Sequence, residues 1–223
     1  MSIFKYDSDC TLWSPQGKLL QITYAEQAVK NGSICLAMRS STSAVLLSVK
    51  KNPTKLATYQ EKLFKISRNA GIGISGMTAD ARVLCKYLRK KNTENHVKYG
   101  ENMSVEFLSS SVAKKFRSKT YASGKRPFGV GLLLIGFDLD DLPHVYELTP
   151  GGDCIEYEAY AIGAKAQSSK TYFENNLDAF KNCSDEELIQ HGLRAIMSGY
   201  KDEKEKLTEK NVEISLLNLS SGY

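Results

Sequence analysis

Ser33-Ile34-Cys35-Leu36-Ala37-Met38-Arg39 and Ser43-Ala44-Val45-Leu46-Leu47-Ser48-Val49, joined by the small polar turn Ser40-Ser41-Thr42, are the stretch on which the fold of this chain turns. Both runs are apolar on both of their alternating faces, so they read as a hairpin that needs cover on each side. Working outward, residues 62–67 and 70–75 read as a second pair of strands with Arg68-Asn69 as the turn. Further strands are expected over 128–137, 144–148 and 154–162, separated by the turn residues of 138–143 and 150–152, and a last one over 212–219.

Helical spacing fills the gaps. Ser14-Pro15-Gln16-Gly17 precedes a segment where Leu20, Tyr24 and Ala28 recur every four residues, flanked by Ala25 and Val29, before Gly32 ends it. Thr78 is expected to cap a helix with Ala81, Leu84, Cys85 and Leu88 on its apolar face, and Ser104 another with Leu108, Val112 and Phe116. In the latter, Glu106 in the first turn and Lys114, Lys115 and Arg117 in the last suit the helix dipole. Ala166, Phe173, Leu177 and Phe180 mark a further helix; Ser184-Asp185-Glu186-Glu187 is a capping box opening one with Ile189, Leu193, Ile196 and Tyr200 as its core stripe. The order is helix, four strands, two helices, three or four strands, two helices, strand. No Pro/Gly/Ser-rich linker divides it, so one domain over 1–223 is expected. Two stacked sheets between two helical layers satisfy this pattern, which permits that sandwich without proving it.

The 223 residues are 42% hydrophobic and 25% charged, a globular composition. The longest apolar stretch, 130–137, is interrupted by Gly131 and Gly136 and falls far short of the roughly 20 residues that span a bilayer. The N-terminus lacks a signal-peptide pattern, and an intracellular protein is expected. The net charge of +5 is spread along the chain, a weak indication of nucleic acid. Cys10, Cys35, Cys85, Cys154 and Cys183 form no CxxC pair and read as free thiols. His96, His144 and His191 lack metal-site spacing, so no metal or cofactor is expected. Gly71-Ile72-Gly73-Ile74-Ser75-Gly76 matches G-x-G-x-x-G in letters only, since its glycines lie inside a strand and mark close backbone approach rather than a phosphate loop. The mixed charges from Tyr200 to Asn211 read as a solvated helix end, and the four N-x-S sequons as chance.

The first 32 residues are the most informative. Tyr6-Asp7, Trp13-Ser14-Pro15-Gln16-Gly17, Gln21-Ile22, Tyr24-Ala25, Ala28-Val29 and Gly32 resemble the N-terminal signature of proteasome alpha subunits. Gly76-Met77-Thr78-Ala79-Asp80-Ala81-Arg82 is similar to that family's G-x-x-A-D-A-R helix start, Arg126-Pro127-Phe128-Gly129-Val130 to its R-P-[FY]-G-V strand entry, and residues 162–168 to the opening of its third long helix. The likeness covers residues 5–219. Within it, Trp13–Gly17 with Gln21-Ile22 and Tyr24-Ala25, residues 191–195 and residues 208–212 look most like one of the seven eukaryotic alpha types, the one at the sixth ring position.

The resemblance implies an α/β (α+β) four-layer αββα sandwich of the N-terminal nucleophile hydrolase type, two antiparallel sheets between two helical layers, with an extra N-terminal helix. Residues 1–32 would be the gate segment and helix, and 33–223 the sandwich. Active members of the fold use a terminal threonine as both nucleophile and base, which needs a free amine beside the hydroxyl. Here Ser33 stands near that place inside a continuous chain, Lys50 aligns with an aspartate of active relatives, and Lys62 with their catalytic lysine. No peptidase activity is therefore expected; an active beta-type peptidase and a basic nucleic-acid binder are the competing classes. The implied role is a non-catalytic subunit of a heteroheptameric alpha ring beside the beta rings. Tyr6, Asp7, Pro15 and Tyr24 match gate positions, and Ser8 replaces a common arginine. Lys62, with the backbone at Gly32, matches a pocket that captures the C-terminal carboxylate of an activator tail. Implied partners are the other alpha subunits, beta subunits, and regulatory ATPases or other activators, with no nucleic acid and no membrane, in cytoplasm and nucleus, serving ubiquitin-dependent degradation.

Overall fold

The computed structural model describes residues 6–51, 56, 60–121, 123–138, 140–200, 207–219 and 223; the charged run 201–206 lies outside them. The elements are α1 (Leu20–Asn31), β1 (Cys35–Arg39), β2 (Ser43–Val49), β3 (Leu63–Lys65), β4 (Ala70–Gly76), α2 (Thr78–Tyr99), α3 (Val105–Arg117), β5 (Val130–Phe137), β6 (Pro143–Leu148), β7 (Cys154–Glu156), β8 (Ala159–Ile162), α4 (Ala166–Phe180), α5 (Asp185–Gly199) and β9 (Val212–Asn218). One antiparallel sheet has the order β8-β1-β2-β9, the other β3-β4-β5-β6-β7.

The doubly apolar strands explain the layering. On β1 and β2, Cys35, Ala37, Ala44 and Leu46 face Leu133, Ile135 and Val145 of the other sheet. Their alternates, Leu36, Met38, Val45 and Leu47, face Phe173 and Phe180 of α4 and Leu188, Ala195 and Ile196 of α5. On the second sheet, Ile72, Ile74, Leu132 and Leu134 turn outward onto Ala81, Leu84 and Leu88 of α2 and Leu108, Val112 and Phe116 of α3. Each fully buried Leu or Ile contributes roughly 1.5–3 kcal/mol, so a register slip of one residue in β2 or β5 would lose favourable burial in two cores at once. This is the αββα sandwich, with α1 packed against β4 and β5.

Several expectations are corrected. The run 154–162 is two strands in different sheets: β7 pairs with β6, and β8 pairs with β1. The chain crosses between sheets at Tyr157 and Glu158, whose backbone groups bond Val145 and Arg39 respectively. Thr78 is the first residue of α2 and not its cap; Met77 occupies that place without a side-chain bond, the Met77 amide instead donating to Gly129 O at 2.9 Å. On α1 the buried residues are Ala25 and Val29, while Tyr24 is 47% exposed, because the sheet ends meet the flanking face and not the Leu20-Tyr24-Ala28 row. The stripe of α5 centres on Leu188, Gly192 and Ala195, with Ile189, Leu193 and Tyr200 at its margins. A Cβ on Gly192 would lie 2.5 Å from Leu47 Cδ1, so the missing side chain sets how closely α5 approaches β2. The Ser104 cap and the Ser184–Glu187 capping box form as expected. Gly73 lies in β4, where a Cβ would sit 2.3 Å from Cys35 Sγ; the glycine motif marks close packing.

Candidate functional site

Where α1 runs into β1, the backbone is crowded. Gly32 donates to Val29 O at 3.0 Å, and its carbonyl accepts from Ala164 N at 2.7 Å. A Cβ there would lie 2.3 Å from both Gly76 N and Ser75 Oγ, so only glycine fits without a shift. The Ser75 hydroxyl lies 3.0 Å from the carbonyls of Val29 and Ser33 and donates between them, stapling the helix end to the strand start. Ser33 is 4% exposed, and its Oγ has no hydrogen-bond partner among the described residues. Its nitrogen is a peptide nitrogen joined to Gly32 and the helix before it, so it cannot act as the free amine of a terminal nucleophile.

The charged groups nearby are organised by a residue the sequence reading did not single out. Glu213 of β9 pairs with Lys50 at 3.3 Å through one oxygen and accepts the backbone amides of Lys62 (3.0 Å) and Leu63 (3.3 Å) through the other. One carboxylate thus ties the end of β2 and the start of β3 to β9. Lys62 is 8% exposed, and burial lowers its pKa, opposed by the nearby Cys35 thiol. Among the described residues its ammonium has no hydrogen-bond or ion-pair partner. Burial likewise pushes the Cys35 thiol far up, out of the nucleophilic range. Among the described residues no hydrogen bond joins Lys62 to Gly32: the Lys62 amide donates to Glu213 and its carbonyl accepts from Ile74 N, while Gly32 bonds Val29 and Ala164.

Ahead of α1, residues 14–18 form a tight turn: Gly17 N donates to Ser14 O at 2.9 Å, Ser14 N to Lys18 O at 2.9 Å, and Lys18 N to Ser14 Oγ at 3.2 Å. Pro15 follows Ser14 in that turn, where its fixed φ suits the second position. Trp13 and Leu19 bridge across it, and Gln21 of α1 donates to the carbonyl of Asp7. The turn therefore folds the segment carrying Tyr6 and Asp7 back onto the helix carrying Tyr24. Among the described residues, Tyr6, Asp7, Pro15 and Tyr24 share no direct hydrogen bond or ring contact.

The motifs at 76–82 and 126–130 clasp each other. The Asp80 carboxylate accepts from Arg126 Nη1 (2.6 Å) and Nη2 (2.8 Å) and from Gly129 N (2.9 Å). The Arg126 hydrogen bonds hold the Asp80 carboxyl below its ordinary value. No spacing rule links positions so far apart, so only the family pattern signals this pair.

The family model for the N-terminal signature of A-type proteasome subunits matches residues 6–28, and the model described as "Proteasome subunit" matches residues 29–217. The chain belongs to the proteasome subunit family. The proteasome alpha type-1 subunit of Dictyostelium discoideum is 42% identical over 213 residues, 96% of this chain and 86% of that protein. The probable proteasome alpha type-6 subunit of Schizosaccharomyces pombe is 42% identical over 219 residues, 98% of this chain and 80% of that protein. The proteasome alpha type-1 subunit of Caenorhabditis elegans is 35% identical over 219 residues, 98% and 84% of the two chains. This proteasome subunit is thus of the alpha kind and most like type-1. The boundary between the two matches falls inside α1, a few residues before the crowded junction at Gly32. Among the described residues no helix is long and apolar enough to cross a membrane.

Proposed function

We propose that this structural alpha-ring subunit is non-catalytic and has two working regions: the N-terminal segment with Tyr6, Asp7, Pro15 and Tyr24 as part of an axial gate, and Lys62, with the backbone at Gly32, as a receptor for an activator's terminal carboxylate. The observation that carries the non-catalytic reading is the continuous helix-to-strand junction at Gly32-Ser33, which leaves no amine beside the Ser33 hydroxyl. The Lys50–Glu213 pair adds to it, since an ammonium stands where active relatives have an aspartate. For docking, the support is a lysine that is only 8% exposed and whose ammonium has no counter-ion among the described residues, so that a carboxylate brought by a partner would supply one. For gating, the support is the turn at 14–18 and the Gln21–Asp7 contact, which present a short aromatic segment at the end of α1.

The proposed assembly puts this chain in the sixth position of a seven-membered alpha ring, contacting other alpha subunits, a beta ring, and regulatory ATPases or other activators. It works in cytoplasm and nucleus in ubiquitin-dependent protein degradation. Residues 1–32 are the gating part and 33–223 the sandwich. Tagging the chain in its native cells and determining the mass and composition of what co-purifies tests this. A very large particle containing six other alpha-like and seven beta-like chains is expected. A lone monomer or small homo-oligomer whose peptide hydrolysis is abolished by Ser33→Ala would refute it.

A further inference from the structure

The N-terminal segment is tied to the body of its own chain in a place distinct from the Gly32 junction. The Asp9 carboxylate accepts from Ser123 Oγ, from Thr11 N at 3.0 Å and from Thr11 Oγ1 at 3.1 Å. One residue on, the Cys10 thiol is 1% exposed and donates to Lys119 O at 3.1 Å. Lys119 and Ser123 both belong to the connection between α3 and β5, which is anchored further along by the Asp80 clasp on Arg126 and Gly129. Consecutive residues of the N-terminal segment therefore grip one short connection, which is itself fixed to α2. Ser123 is exposed and Asp9 half-buried, so the hydroxyl-to-carboxylate bond lies at the rim, with the Cys10 contact beneath it. The Asp9 carboxyl is held below its ordinary value, the Ser123 hydrogen bond being the largest cause, consistent with an ionised acceptor.

We propose that Asp9 and Ser123, with Cys10 seated on Lys119, form an internal latch that positions the N-terminal segment ahead of the 14–18 turn. Asp9 and Ser123 are positioning residues, acting on Tyr6 and Asp7 through the chain and not through contact with substrate. Replacing the Ser123 donor by an anion sets two negative charges within hydrogen-bond range of each other and pushes the segment off the connection. That would uncover Cys10, making its thiol a reporter of the latch that does not depend on what the segment does. The gating consequence rests on the reading of residues 6–24 as part of an axial gate; the latch itself does not.

The test uses the assembled particle carrying Ser123→Asp, Asp9→Ser, or both together, the double variant exchanging donor and acceptor. Cys10 alkylation by N-ethylmaleimide is followed by mass spectrometry, with buried Cys35 and Cys85 as controls for an intact fold. Peptide hydrolysis without activator is measured on the same samples. Ser123→Asp should raise the rate of Cys10 alkylation by roughly tenfold or more, as expected for like charges in contact at a surface, and raise unstimulated hydrolysis; the double variant should bring both back towards wild type. Unchanged Cys10 alkylation in Ser123→Asp, or failure of the exchange to restore protection, overturns the latch. Increased alkylation with unchanged hydrolysis sustains the latch and overturns the gate reading.

Discussion

Removing the Asp80 carboxylate tests what the two family motifs do physically. Asp80 is 6% exposed and makes three hydrogen bonds, two to Arg126 and one to the amide of Gly129, where the chain enters β5. In Asp80→Ala the Gly129 N–H is left buried and unpaired, which costs about 1–3 kcal/mol. The Arg126 side chain is 60% exposed, so losing its ion pair adds no more than about 1 kcal/mol. The expected loss is thus about 1–4 kcal/mol, or roughly 2–16 °C in Tm for a chain of this size. Arg126→Ala, which leaves Asp80 with the Gly129 amide, should cost about 1 kcal/mol or less. Urea unfolding of the full chain measures both. Because the folded carboxyl is depressed, its stabilisation is present above the ordinary carboxylate value near 4 and is lost as pH falls through the lower folded value. The gap between wild type and Asp80→Asn should therefore close only in strongly acidic solution. Arg126→Ala as damaging as Asp80→Ala would mean that the surface ion pair, and not the Gly129 amide, carries the clasp.

Two further outcomes follow from buried or bridged cations. Lys62→Met should hold or raise the stability of the full chain, since burial disfavours the charged form of this lysine and it has no counter-ion among the described residues, while Lys62→Met and Lys62→Glu should both weaken activator docking without blocking ring assembly. Urea unfolding and binding of activator-tail peptides to the assembled particle check this, and undiminished affinity would count against the docking role. Between the lowered folded pKa of Lys62 and its ordinary 10.5, the unfolded chain binds more protons at this residue, so the stability of wild type relative to Lys62→Met should rise with pH across that window. His144 behaves oppositely: burial alone would lower its pKa, but its contacts with Glu156 at 2.7 Å and Asp140 at 3.2 Å outweigh that and raise it. Its contribution should be complete below the ordinary 6.5 and lost as pH rises through the higher folded value. A proton NMR titration should place the His144 midpoint lower in Glu156→Gln; an unmoved midpoint would rule out that bridge as the cause.

How much of this could be seen in the letters depends on whether a feature is local. The parity of β1, β2 and β5 was readable because a strand buried on both faces must be apolar at every step, and Ser104 and Ser184 announced their helices because a cap bonds its own first turn. The split of 154–162 was not readable: no Gly or Pro stands between Glu156 and Ala159 to mark a break, and the partners β6 and β1 decide which sheet each strand joins. The stripe of α1 misled for a related reason. Tyr24 has an apolar ring at helical spacing, but the sheet ends lie under Ala25 and Val29, and nothing within the helix encodes where the sheets stop.

The same distinction separates the two halves of the functional reading. The proposed lack of a terminal amine at Ser33 rests on the peptide bond to Gly32 in the uncleaved chain, a local covalent feature. The state of Lys62 is not local: whether that lysine has an internal counter-ion depends on Glu213, which satisfies Lys50 and the backbone amides of Lys62 and Leu63 with its two oxygens and leaves the Lys62 ammonium without it. Had the Glu213 carboxylate paired with Lys62, an incoming carboxylate would have to displace an internal partner. Because it pairs with Lys50, the proposed binding of a partner's carboxylate would not have to break an existing bond. Glu213→Gln should then weaken the tie of β3 to β9 and leave the charge requirement at Lys62 unchanged, so that a neutral tail amide binds wild type and variant equally poorly. A tail amide that regains affinity in Glu213→Gln would mean that Glu213, and not the ligand, sets the charge at this site.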